Sequence, residues 1–215
     1  MTLRQDQGTV VLGIDTSGVV CAGVAVDGAV MASGSIPDTR AHAEQLMPLV
    51  QQVMADAGLT LAEVDRIAVG VGPGPFTGLR VGVVAAITLG EALGVPVRGV
   101  CSLDVLAQQA ERSSGDFVVA TDARRKEWYW ASYDADGRRV HGPFVSSPDA
   151  LPELTTVGPV TENPVELDAG VLAAIADSLP DAGLEPLYLR RPDAEVPTAR
   201  KSTLLPPRLA PRRVR

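Results

Sequence analysis

At 215 residues the chain is long enough for one large domain or two small lobes, and with 46% hydrophobic but only 4% aromatic residues its core has to be built from Val, Leu, Ile and Ala. A formal net charge of −7 argues against unaided nucleic-acid binding, which relies on Lys and Arg neutralising phosphates. Cys21 and Cys101 are far apart and form no CxxC, which excludes a disulfide scaffold and a zinc ribbon and suits a reducing, cytoplasmic setting.

Residues 1–8 read as a disordered lead; they hold no apolar run after a basic start and so do not read as a signal peptide. No uninterrupted apolar run of about 18 residues predicts a membrane span. A β-branched run at 9–14 closes on Asp15-Thr16-Ser17 and predicts a buried strand. Residues 19–26 and 29–36 flank Asp27-Gly28, a hairpin turn, so three antiparallel strands open the chain. Leu46, Val50, Val53, Met54 and Ala57 recur at helical spacing over 42–57, with Pro48 in the early turns and Gly58 as the stop. A strand at 66–71, a helix at 77–93 ended by Gly94, a strand at 96–100 and a helix at 102–111 capped by Ser102 follow, and this alternation implies parallel pairing.

The opening pattern then recurs. A run at 117–121 ends on Asp122, a strand at 127–133 meets Asp136-Gly137, and a return strand covers 138–145. This predicts a duplicated βββαβα unit with a first lobe at 9–115. The second copy, 116–191, is reduced: after Ser146 only a strand at 155–160 and a helix at 168–179 are predicted. From 192 to 215 the chain is rich in Pro and Arg, with Arg200, Lys201, Arg208, Arg212, Arg213 and Arg215, and reads as a flexible solvated tail or as a contact for RNA or an acidic partner.

Several motifs carry a resemblance. They are Gly13-Ile14-Asp15-Thr16-Ser17; His42 with Leu46 and Pro48; Gly70 to Arg80, reading GVGPGPFTGLR; Ser102-Leu103; and Tyr188-Leu189-Arg190. In this order the chain resembles the ribonuclease H-like, actin-like α/β superfamily and, within it, the TsaB family, over about residues 10–190. The resemblance implies a non-catalytic subunit that pairs with TsaD, the enzyme that transfers a threonylcarbamoyl group to the adenosine beside the tRNA anticodon. It also implies recruitment of the ATPase TsaE, a homodimer when alone, and contact with tRNA only through the complex.

The residues bear on that expectation one motif at a time. Asp15, Thr16 and Ser17 end a strand where a carboxylate and two hydroxyls could hold a hydrated cation; they equally suit a local turn, and are taken as a vestigial nucleotide contact. In the second lobe Asp122 is followed by Ala123-Arg124-Arg125-Lys126, too bulky for close phosphate approach, and Gly158 stands alone. The loop of Gly72, Pro73, Gly74 and Pro75, with Thr77 and Arg80, lacks a Gly-Lys-Ser/Thr ending, and two prolines remove backbone donors, so it reads as a rigid helix start. Gly78, Gly82, Ala86 and Gly90 recur every four residues. With Val83, Ile87 and Leu46, Val50, Val53 and Met54 of the preceding helix, they are expected to form the partner interface. His42 reads as a cap or packed polar residue, and Trp128 and Trp130 as core or lobe-interface residues.

Three functions compete: a pseudoenzyme scaffold, an active phosphotransferase or ATPase using Asp15 and Asp122, and a metallopeptidase. TsaD carries an HxxxH metal pair where this chain reads Val100 to Ala107 without histidine, and the chain holds only two histidines, so the third is rejected. No metal and no resident cofactor are expected, weak ATP or ADP with Mg at an inter-subunit site being left open.

Overall fold

The computed structural model describes residues 8–37, 42–111, 115–161 and 165–190. The tail at 192–215, and all of the predicted lead except Gly8, lie outside the described residues.

Two mixed sheets repeat one topology. The first orders β3-β2-β1-β4-β5 from β1 (Val10–Asp15), β2 (Val20–Val26), β3 (Ala29–Ile36), β4 (Arg66–Gly70) and β5 (Val97–Val100). β1, β2 and β3 pair antiparallel, and β4 and β5 continue parallel to β1. The second orders β8-β7-β6-β9 from β6 (Phe117–Asp122), β7 (Trp128–Tyr133), β8 (Arg139–Ser146) and β9 (Thr155–Val157). Both Asp-Gly turns adopt the left-handed backbone that their residue types favour, with Gly28 and Gly137 at φ 76°. β9 stops at Val157 because Gly158 turns away at φ 134° and Pro159 follows.

Among the described residues four helices cover these sheets: α1 (His42–Asp56), α2 (Phe76–Leu93), α3 (Ser102–Gln109) and α4 (Ala169–Ile175). α1 runs through Pro48, and α2 ends in a left-handed Gly94. α1 and α2 lie on one face of the first sheet over Leu12, Ile14, Val24 and Val69. The link from β8 to β9 carries a single 3-10 turn, Pro148–Ala150, where the first lobe carries α1. α4, which follows the second sheet in sequence, packs on the opposite face of the first. A second core joins it to Val11, Cys21, Leu103, Leu106, Phe117, Val119, Ala131 and Tyr133, so one hydrophobic interior runs through both lobes. Both cysteines are buried within it, and burial foremost pushes the Cys101 thiol up to about 12.

Two expectations change on this frame. The small-residue face of α2 points into the chain: Gly78, Gly82, Ala86 and Gly90 are buried, as is Val83. A Cβ on Gly82 would lie 2.3 Å from Thr16 Oγ1, and one on Gly90 2.3 Å from Val97 Cγ2. The missing side chains thus bring the helix down onto β1 and β5 of its own sheet, not onto a partner. Leu46, Val50, Val53 and Met54 are likewise core, at 0–2% exposed; only Ile87 of the expected interface remains half-buried. In β7, Tyr129, Ala131 and Tyr133 face the core, while Trp128 and Trp130 lie half-buried on the other face. Trp130 sits against the 48%-exposed Phe144 with ring centroids 5.2 Å apart. α2 has the length and mean hydropathy (18 residues, 1.5) of a membrane span, but in keeping with the expectation of none it covers a sheet, one face packing on β4, β1 and β5.

α4 approaches the first sheet closely. A Cβ at Gly13 would fall 2.0 Å from the carbonyl oxygen of Ala169, and one at Gly23 2.2 Å from the amide nitrogen of Gly170. Both obstacles are backbone, so Gly23→Ala is expected to destabilise the fold by about 3 kcal/mol, read as a lower urea midpoint. An unchanged midpoint would mean that α4 can lift off the sheet at no cost. Gly82→Leu is expected to act likewise through Thr16, as a folding defect before any binding defect.

Candidate functional site

Between the lobes lies a cleft of about 230 Å³ that gathers the chain's chemically suggestive residues: Asp15, Ser17, Thr121, Asp122, Arg124 and Glu166 line it. Both strand-ending aspartates therefore meet one cavity, as the duplication predicts. They sit in it differently.

Asp15 is 1% exposed, and its carboxylate is engaged within the chain. Ser17 N–H and Ser17 Oγ donate to Oδ1 at 2.7 and 2.6 Å, and Ser102 Oγ donates to Oδ2 at 2.5 Å. Ser102 Oγ in turn accepts from Gly72 N–H at 3.1 Å, and Ser102 N–H donates to the Gly72 carbonyl at 2.8 Å. Ser102 is therefore not the α3 cap, which is Cys101; it is the link between β1, the Gly-Pro loop and α3. Gly70 makes room for this link, since a Cβ there would lie against Asp15 Oδ2. Burial raises the Asp15 carboxyl above its ordinary 3.8, and the three hydrogen bonds pull it back only in part.

Thr16 is wholly buried; its Oγ1 donates to the Gly78 carbonyl at 2.7 Å and accepts from Gly82 N–H at 3.0 Å. The hydroxyls of Asp15-Thr16-Ser17 are thus directed at α2 and at the aspartate itself. Gly72, Pro73 and Gly74 are buried, Pro75 half-buried, and Thr77 and Arg80 exposed. Gly72 turns at φ 99°, and a Cβ on Gly74 would strike the Ser17 backbone at 2.5 Å. These contacts make the loop a spacer holding the start of α2 against the end of β1.

Asp122 is exposed and accepts from Arg124 N–H at 2.7 Å. It shapes the β6–β7 turn, in which Arg124, Arg125 and Lys126 all adopt left-handed backbone at φ 62°, 54° and 64°. Each such residue costs roughly 1–2 kcal/mol, and a clamp stands against that cost. Arg190 Nη1 donates to the Ala123 carbonyl at 2.9 Å, and its Nη2 pairs with Glu127. Two residues earlier, Tyr188 stacks on Phe76 with centroids 4.8 Å apart and accepts from Arg80 Nε at 3.0 Å. The Arg80 guanidinium lies 3.9 Å above the Phe76 ring. Tyr188-Leu189-Arg190 therefore straps the Gly-Pro loop of the first lobe to the hairpin of the second. Sequence reading missed this role: a Tyr and an Arg at the end of a Pro-rich stretch carry no local signal for contacts 63 to 108 residues away.

A second buried polar group lies beneath α3. Asp104 Oδ1 accepts from Tyr133 OH at 2.9 Å and lies 3.4 Å from Arg139 Nε, while Oδ2 has no partner. Burial raises this carboxyl too. A larger concavity, about 620 Å³, at the far end of the first sheet is lined by charges that pair among themselves, Arg66 with Asp177 and Arg98 with Asp181. Among the described residues no three His, Cys, Asp or Glu side chains form a metal-holding group. The side chain of His42 lies outside the described residues.

The interlobe cleft thus offers three carboxyl groups against one guanidinium, a poor reception for a triphosphate. Its chief carboxylate already accepts three hydrogen bonds. Asp15 holds its proton more tightly in the fold than in the unfolded chain. Its contribution to stability is therefore full below about 3.8 and lost as pH rises through the raised folded value. Urea titrations of wild type and Asp15→Asn are expected to show the gap in favour of wild type widening as pH falls. A gap that does not change with pH would mean that Asp15 titrates alike in both states.

The chain matches the family model described as TsaD, tRNA N6-adenosine threonylcarbamoyltransferase, over residues 32–169. An uncharacterized Mycobacterium tuberculosis protein is 46% identical over 201 residues, covering 86% of this chain and 93% of that one. The Escherichia coli tRNA threonylcarbamoyladenosine biosynthesis protein TsaB is 39% identical over 139 residues, 61% of this chain and 58% of its own length. The chain likewise spans 57% of the length of a Mycobacterium leprae relative. Two solved Pseudomonas aeruginosa structures share the fold: one described as similar to peptidase YeaZ, at TM-score 0.71, 28% identity, 85% of this chain and 100% of that one. The other, YeaZ, superposes at TM-score 0.66 with 28% identity, over 79% and 92% of the two chains. With its two mixed sheets of one topology and the Gly-Pro loop, the chain belongs to the family that the matching TsaD family model describes, among relatives named TsaB and YeaZ.

Proposed function

We propose that this chain is the non-catalytic scaffold subunit of the cytoplasmic assembly that installs threonylcarbamoyl on the adenosine next to the anticodon of tRNA. It binds and supports a TsaD-type catalytic subunit and helps to recruit a TsaE-type ATPase; alone, it pairs with a second copy of itself. The observation that supports this reading most is the outer side of α2. After the inward face is spent on the sheet, the helix still presents Val84 at 60% exposure, flanked by half-buried Val81, Ala85 and Ile87. A helix apolar on both sides needs a second cover. The names carried by the Escherichia coli relative and by the matching family model supply the pathway.

The phosphotransferase reading loses support from the same cleft that suggested it. Asp15 is bound to Ser17 and Ser102, and Asp122 to the turn after it. Asp15 is buried under three hydrogen bonds, which leaves exposed Asp122 as the one aspartate of the pair open to the cleft. Weak ATP or ADP and magnesium binding is accordingly assigned to the interface with the partner, not to this chain's own cleft.

Isothermal titration of the purified chain with its cognate TsaD, and separately with MgATP, tests the reading. Tight TsaD binding and negligible ATP binding are expected. Val84→Asp would bury a charge in the apolar interface and is expected to weaken TsaD binding at least about tenfold, or 1.4 kcal/mol. Its thermal midpoint should stay unchanged, because Val84 is exposed in the single chain. Clear ATP binding without TsaD binding would overturn the proposal and return Asp15 and Asp122 to a catalytic role.

A further inference from the structure

The β6–β7 turn concentrates what the rest of the chain lacks. In a molecule of net charge −7, three consecutive cations, Arg124, Arg125 and Lys126, are exposed on one turn, Arg124 at the mouth of the interlobe cleft. All three hold left-handed backbone, which Gly or Asn would adopt far more readily than Arg or Lys. The turn is nonetheless firmly built. Asp122 accepts from Arg124 N–H, Glu127 N–H donates to the Arg124 carbonyl at 3.0 Å, and Ala123 N–H donates to the Glu127 carbonyl at 2.9 Å. The Arg190 clamp grips both Ala123 and Glu127 from outside the hairpin. Strained backbone held in place under three cationic side chains points to a contact that uses their charge.

We propose that this tip contacts the phosphate backbone of an RNA, which, given the pathway inferred above, is the tRNA bound by the assembly. Charge alone suffices for a phosphate contact, and such contacts fix register without reading sequence. A protein partner would call for an apolar or aromatic anchor in the middle of the patch. The tip has none, its flanks being Asp122 and Glu127. Three cations on one short turn of backbone can meet about two phosphates of one strand. The contact is therefore too weak to make this acidic chain an RNA binder by itself, and it adds to whatever grip the partner supplies. Direct contact of this chain with tRNA departs from the expectation that tRNA is met only through the complex.

The test uses the full chain assembled with its cognate TsaD and a fluorescently labelled, unmodified tRNA transcript, titrated across a series of salt concentrations. Arg124→Asn, Arg125→Gly and Lys126→Asn are combined, because Asn and Gly accept the left-handed backbone and keep the turn. A second variant, Arg124→Lys with Arg125→Lys, keeps the charge. The neutral variant is expected to melt no lower than wild type and to bind TsaD normally. Its affinity for tRNA should fall about tenfold, and the salt dependence should flatten by about 1.5–2 in log–log slope, which the charge-keeping variant restores. Unchanged tRNA affinity and slope would overturn the proposal. So would loss of TsaD binding with an unchanged slope, which would give the tip to an acidic protein surface. Should wild type fail to assemble with TsaD, the scaffold reading fails separately. The tip is then judged on the chain alone at about 20 mM salt, where a flatter slope for the neutral variant supports it and equal slopes overturn it.

Discussion

The contact between α4 and the first sheet is made backbone to backbone, and the rest of the molecule is arranged around it. Gly13 and Gly23 leave no side chain between β1, β2 and the helix, so the Ala169 carbonyl and the Gly170 amide lie where a Cβ would otherwise stand. α4 comes from the far end of the chain, after the second sheet. Its seat on the first sheet closes the two lobes on one interior, from Val11 and Cys21 through Leu172 and Ala173 to Val119 and Tyr133. The close approach removes apolar surface from water over both elements at once.

That closure explains how a lobe without its α1 counterpart remains folded. The β8–β9 link is a 3-10 turn and not a helix, so the second sheet depends for cover on α3 and on its share of the common core. The strap from Leu187 to Arg190 completes the arrangement. Leu187 N–H donates to the Val71 carbonyl at 2.8 Å, Tyr188 and Arg80 bond to each other and both pack on Phe76 at the start of α2, and Arg190 holds the hairpin. Residues that look like a catalytic constellation in a linear reading are, in space, the fittings of this joint. Asp15 binds Ser17 and Ser102, Ser102 binds Gly72, and Thr16 binds α2. In the interlobe cleft Asp15 thus meets Ser17 and Ser102, while Asp122 remains exposed beside it.

α2 shows how one helix serves two surfaces. Its glycines bring it against Thr16 and Val97, and its valines then appear on the opposite side. The sequence points to the glycines as a partner face because small residues permit close packing. The packing they permit is intrachain, since the sheet is the nearest apolar surface and is covalently bound to arrive there first.

The sequence by itself determined the local grammar: Asp27-Gly28 and Asp136-Gly137 as hairpins, Gly94 as a left-handed stop, β-branched runs as buried strands, and the repetition of one strand order in two lobes. It also identified the Gly-Pro loop as a rigid helix start, because prolines and tight glycines constrain only their own neighbourhood. Tertiary structure decided which face of α2 turns inward, which sheet receives α4, that the two tryptophans turn away from the core, and that Tyr188 and Arg190 fasten the lobes. Periodicity states that a face is apolar or small, and the partner of that face lies 60 to more than 100 residues away, as Thr16 does from Gly78 and Arg80 from Tyr188. Such pairings follow from which surfaces can approach most closely once the chain has collapsed, and that is a property of the assembled volume, not of any segment.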